Sequence, residues 1–161
     1  MSVYIEFFFT KIVGNQVLYW RNLVDISQAT TDPDEIVLQI VKNDLEETPQ
    51  IIKERFIIHS TSWRYETGKG IVLTYLIYAD SLDFKKINVI SVPFQDLRLA
   101  ISVSHKKPRP EKISELNVVS HAIRHLAFLI KNGDHDKYKE RLNKETIQNL
   151  KKLNVEIAGE I

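Results

Sequence analysis

The sequence predicts an α+β fold: a mostly antiparallel sheet of about six strands with an inserted helix, and C-terminal helices packed on one side. Three observations predict it. Runs rich in aromatic and β-branched residues, separated by short turn signals, fill most of the first hundred residues. Among them Asp32-Pro33-Asp34-Glu35 opens a single helix. Beyond residue 111 the apolar spacing changes from alternation to a period of about 3.6. The 161 residues fit one domain, 1–161, and no repeat, low-complexity tract or linker divides it.

Each element has its own signal. Residues 3–13 and 16–24 are strand-like and flank Gly14-Asn15, a dipeptide that tolerates positive φ, so they read as a β-hairpin. Asp32 is an N-cap, Pro33 suits the first helical position and Glu35 can reach back to the cap amide, which predicts a helix over 33–43. A long strand is expected over 51–64 after Pro49, then a turn at Thr67-Gly68-Lys69-Gly70. The strand that follows, 71–79, is apolar at nearly every position and therefore central. Two further strands are expected at 87–92 and 97–103. The longest helix should run over 111–132, where Ile113, Leu116, Val119, Ile123, Leu126 and Ile130 share one face, and stop at Gly133. Short helices at 135–142 and 144–153 complete the expectation.

Composition excludes several functions. No cysteine is present, so disulfides, thiolate nucleophiles and Cys-ligated zinc are ruled out. With 22 basic and 21 acidic residues the chain has almost no net field, which argues against a nucleic-acid partner. Residues 1–104 carry 10 basic and 13 acidic groups, and residues 105–161 carry 12 and 8, so the C-terminal part is mildly basic. The opening MSVYIEFFFTKIV is apolar, but Glu6 interrupts it and no basic residue precedes it; it reads as a strand, not a leader. No run reaches the roughly 18 apolar residues of a membrane helix, so a soluble, cytoplasmic protein with no membrane contact is expected.

The densest concentration of chemistry is HSTSWRY, residues 59–65. Strand alternation would place His59, Thr61, Trp63 and Tyr65 on one face and Ser60, Ser62, Arg64 and Glu66 on the other, with Trp63 opposite Thr74 and His59 opposite Tyr78. His59, Ser62, Trp63, Arg64 and Tyr78 are the candidate ligand-binding residues. Trp63 or Tyr78 would stack, His59 titrates near neutrality, and the Arg64 fork suits a carboxylate or phosphate. The alternative is a strand end that simply leaves the core, with Trp63 covering a sheet edge. A serine–histidine nucleophile is not indicated, because adjacent strand residues point apart and no GxSxG elbow is present.

Other features are weaker. His121 and His125 have the spacing of two helical metal ligands, with Asp134-His135-Asp136 as further candidates. Ala122 stands where a zinc protease has its glutamate, so a half-buried histidine edge is the competing account. Lys106, Lys107, Arg109 and Lys112 form a basic, proline-stiffened loop without interleaved aromatics, which fits a solvated loop better than a stacking groove. No P-loop or GxGxxG is present, and no cofactor is indicated.

His59-Ser-Thr-Ser-Trp-Arg-Tyr65 followed by Val72-Leu-Thr-Tyr-Leu76 resembles a segment of uncharacterised bacterial proteins of similar size. That resemblance covers about a fifth of the chain and implies no activity. The succession of helix, long strand, short turn and apolar strand is also similar to the middle of Nudix hydrolases. That family's box has no counterpart around Asp32 to Glu47, where Glu46-Glu47 stands alone, and no residue role carries over.

Two functional readings remain. One is a non-enzymatic domain that binds a small, anionic ligand or a protein partner at the 59–65 strand. The other is a hydrolase of a nucleotide or other phosphorylated metabolite, with His59 as acid or base. Convergence of His59 with Glu66, Asp80 or Asp96 in a pocket would favour the second. Phe7, Phe8 and Phe9 must also send rings to both faces of their strand, and a C-terminal helix or a second copy of the chain, in a homo-oligomer, would have to cover them.

Overall fold

A computed structural model describes residues 1–84, 88–100, 112–132 and 136–153. The hairpin forms as its composition dictates: β1 (Val3–Val13) and β2 (Gln16–Asp25) pair antiparallel, with Val13 opposite Gln16. Gly14 takes φ 59 while Asn15 is not left-handed, the pattern of a type II′ turn, whose twist matches that of the strands. The chain then crosses one face of the sheet through α1 (Pro33–Leu45) and α2 (Pro49–Arg55). It returns as β3 (Ile57–Glu66), which pairs antiparallel with β4 (Gly70–Tyr78). A short β5 (Ile90–Pro93) pairs with β2 and runs into a 3-10 turn at Phe94–Asp96. The helices α3 (Glu115–Lys131), α4 (Asp136–Lys139) and α5 (Lys144–Lys152) follow.

The α+β class stands, but the sheet differs from expectation. It has five strands in the order β3-β4-β1-β2-β5, and it is mixed rather than mostly antiparallel, because its central pair, β1 and β4, is parallel. Residues 97–100 carry no regular structure, and the rest of the strand expected at 97–103 lies outside the described residues, as do Ile87, Gly133, Asp134, His135 and the loop of Lys106, Lys107 and Arg109.

The helices occupy both faces, not one. Phe8, Leu76 and Tyr78 pack against α3 and α5, whereas Phe7, Phe9, Tyr75 and Ile77 pack against Val37 and Val41 of α1 and Ile52 of α2. The three consecutive phenylalanines are thus all covered within the chain, and a second copy is not needed to bury them. Successive strand residues point to opposite faces, so an uninterrupted apolar run requires two cores, and β1 supplies both.

The second difference lies at residues 49–55, which form α2 instead of the start of a strand. Thr48 caps it, its hydroxyl accepting from the Ile51 amide at 3.3 Å, and Pro49 occupies the first turn. Asp32 and Pro33 do the same for α1, with Asp32 accepting from the Asp34 amide at 2.8 Å. In both cases the proline lacks only a donor that the first helical turn leaves unused.

Candidate functional site

The strand carrying HSTSWRY changes phase midway. Ser60 faces Tyr75 and Ser62 faces Thr74, so Thr61 is an extra residue, a β-bulge. Expected alternation therefore fails beyond it. His59, opposite Leu76, and Ser62, Arg64 and Glu66, opposite Thr74, Val72 and Gly70, all lie on the α3 face. Ile58 and Ser60 share the α1 face with Trp63 and Tyr65. The candidate residues His59, Ser62, Trp63, Arg64 and Tyr78 consequently do not form one cluster. Trp63 and Tyr65 are 66% and 65% exposed on the face away from Arg64.

Arg64 is bound by its own chain. Its Nη1 donates to Glu6 Oε2 at 2.7 Å and to Thr74 Oγ1 at 3.1 Å, and its Nη2 to Glu6 Oε1 at 3.1 Å. Its Nε donates to Glu66 Oε1 at 2.8 Å, and Nη2 lies 2.6 Å from the same oxygen. These five contacts equal the number of N–H groups a guanidinium possesses, so the fork has no donor left for a ligand. Glu6, only 1% exposed, also accepts from Arg21 Nε at 2.6 Å. Arg21 approaches Glu115 at 3.6 Å, and Glu66 pairs with Lys69 at 2.9 Å, completing a network of alternating charge across β2, β1 and β3. Burial alone would lower the Arg64 pKa, but hydrogen bonds and charge from Glu6, then Glu66, hold it above its ordinary value. For Glu66 burial opposes ionisation, and Lys69 and Arg64 outweigh it, keeping the carboxyl below its usual range.

Tyr78 is likewise internal. Its hydroxyl accepts from the Ile12 amide at 3.2 Å and donates to Asp80 Oδ1 at 2.9 Å. Asp80 also accepts from Thr146 Oγ1 and from the Asn143 amide, both at 2.6 Å, and so ties the start of α5 to the sheet. The histidines gather on the same side: the His59 and His125 ring centroids are 4.9 Å apart, those of His121 and His125 6.2 Å, and Tyr138 Oη is 3.4 Å from His59 Nδ1. Among the described residues no three histidine or carboxylate side chains are placed to hold one metal ion.

The sequence reading missed the most ligand-like concavity. Between α1, α2, the start of β3 and α4 lies a groove of about 600 Å³ floored by Leu38, Ile52, Phe56, Ile58 and Tyr138. Lys42, Lys53, Lys137 and Arg141 ring it, with Glu35 the single carboxylate in its wall. Among the described residues none of the four cations forms an ion pair. Lys137 Nζ lies 5.4 Å from the Tyr138 ring centroid, and Arg141 donates to the Phe56 carbonyl at 2.8 Å, which fixes two of them at the rim. A second hollow of about 400 Å³, lined by Asp34, Ser60 and Tyr75, shares Leu38 and Ile58 with the first and extends it along β3. The repeat of a capping residue followed by proline, Asp32-Pro33 and then Thr48-Pro49, is the sequence signal that could have revealed α2 and this groove.

No helix among the described residues is long and apolar enough to cross a membrane. No known protein family matches the chain, and neither the curated proteins nor the solved structures contain a match to it.

Proposed function

We propose that the protein is a non-catalytic binding domain whose groove beside the first residues of β3 takes a small amphiphilic anion. The observation that carries this is the pairing of an apolar floor with four cations that have no carboxylate partner among the described residues. The volume lies in the range of small-molecule sites, and predominantly apolar walls with a few convergent polar groups are their usual composition. An apolar chain would lie on Leu38, Ile52 and Ile58 and a carboxylate or phosphate would face the lysines. A ligand that binds only the folded state raises the unfolding temperature.

Thermal unfolding with decanoate and with decylammonium tests the reading. Decanoate should stabilise the protein, decylammonium should not, and the double substitution Lys42→Glu with Lys53→Glu should abolish the decanoate effect. Equal stabilisation by both amphiphiles, or none by either, would overturn it. Of the carboxylates a hydrolase would need beside His59, Glu66 is held by Arg64 and Lys69, and Asp80 by Tyr78, Thr146 and Asn143, which favours the binding reading.

A further inference from the structure

We infer that the anion the groove takes is one end of an elongated zwitterion, in its simplest form an ω-amino acid, whose ammonium group is held at the opposite, acidic end of the concavity. The inference rests on the groove reading above and names its ligand class. One helix sets the two poles. Glu35, Leu38, Gln39 and Lys42 of α1 follow one another at spacings of three and four, so they stand in a row along the groove wall. Glu35 and Lys42 are seven positions apart, about 10 Å along the helix axis. Lys42 lies in the last turn of α1 and Lys53 in the last turn of α2, and Arg141 holds the carbonyl of Phe56, the residue that caps the end of α2.

The first turn of α1 carries the opposite sign. The second hollow, which continues the groove past Leu38 and Ile58, is lined by Asp34 and, among the described residues, by no lysine or arginine. Asp34 takes the Tyr75 hydroxyl on Oδ1 at 2.6 Å, which leaves Oδ2 with no hydrogen bond among the described residues. Glu35 takes part in no ion pair among them. Acidic residues suit a helix N-terminus without any ligand, and its partial positive charge offsets part of theirs, so this pole is the weaker anchor. That preference does not account for Leu38, which stands 52% exposed between the two poles. A chain lying on Leu38 with an anion toward Lys42 carries its far end toward Glu35 and Asp34. A lone alkylammonium is repelled by the four cations of the groove, whereas one attached to an anion's tail is delivered to the acidic end.

The probes are nonanoate and ω-aminooctanoate, which have the same length and differ by a methyl group exchanged for an ammonium. Calorimetric titration of the full chain is run at pH 8, above the usual titration range of histidine, because His59 also lines the second hollow. In a purely apolar far end the exchange would weaken binding about tenfold or more, since the ammonium would lose its hydration without a partner. Here ω-aminooctanoate should instead bind about two- to fivefold more tightly than nonanoate, the gain of one solvent-exposed ion pair. The double variant Asp34→Asn with Glu35→Gln should remove that gain and bind nonanoate no less tightly, which also shows that it folds. Equal or weaker binding of ω-aminooctanoate beside clear binding of nonanoate would overturn the zwitterion and leave the groove reading intact. A gain that survives the double substitution would overturn it too, because the ammonium would then lie elsewhere. Failure of both probes to bind would remove the groove reading along with the inference.

Discussion

Glu6 leaves solvent only because two guanidiniums go with it, and that arrangement makes its neighbours interdependent. Removing one partner of a buried pair strands the other charge, at a cost of about 3 to 5 kcal/mol. Arg64→Ala leaves Glu6 with Arg21 and Glu6→Ala leaves Arg64 with Glu66, so each should destabilise the fold in urea unfolding by less than that full amount. The double variant should be less destabilised than the sum of the two, because neither charge is then left facing an empty site; simple additivity would show that the two do not interact. Glu66 has a pH signature. Its folded pKa is below its ordinary value, so its stabilisation is present above the unfolded carboxylate pKa and lost as pH falls through the folded one. Unfolding midpoints measured between pH 7 and 3 should therefore drop less steeply for Glu66→Gln than for the native chain. None of this was legible in HSTSWRY alone. The partner of Arg64 is 58 residues distant, and Glu6 reads in sequence only as an interruption of an apolar run.

Local chemistry decided the elements, and it was legible where that chemistry was strong. Gly14-Asn15 and Asp32-Pro33 fixed β1, β2 and α1 to within a few residues, and the broad apolar stripe fixed α3. At α2 the isoleucines argued for a strand and the Thr48-Pro49 cap for a helix, and the cap and the packing of Ile52 into the α1-side core prevailed. Thr48→Ala should cost about 1 kcal/mol, the usual loss for an N-cap, and should loosen the groove wall. The β3–β4 turn gives a sharper contrast. Gly70 has φ 114, and a Cβ there would lie 2.3 Å from the Ser2 carbonyl oxygen, whereas Gly68 has φ 85 and open space around it. Gly68→Ala should cost about 1 to 2 kcal/mol for the left-handed backbone alone. Gly70→Ala should cost more, because β1 must also move; equal unfolding midpoints for the two would contradict the close approach.

Across the molecule, a mixed sheet covered on both faces holds three phenols whose ionisation the fold opposes. Burial is the main cause at Tyr19, Tyr75 and Tyr78, assisted by the carboxylates of Glu115, Asp34 and Asp80 respectively, and each pKa is raised. A group whose folded pKa is raised stabilises the fold below its unfolded pKa, about 10 for tyrosine, and that contribution is lost as pH rises further. Urea midpoints should accordingly decline from pH 9 to 11, and less so for Tyr75→Phe. The α+β class followed from composition and periodicity, but strand order could not, since nothing local tells β1 that β4 will be its parallel neighbour. That pairing also sets the order of assembly. During synthesis β1 can join β2 at once, yet Val3 meets Ile71 only after both crossover helices and β3 have emerged. The strand that carries three consecutive phenylalanines is thus made first and completed late, and loop closure over that distance slows folding. Nascent chains ending before Gly70 should aggregate, and the ribosome-bound chain should become protease-resistant only once β4 has cleared the exit tunnel.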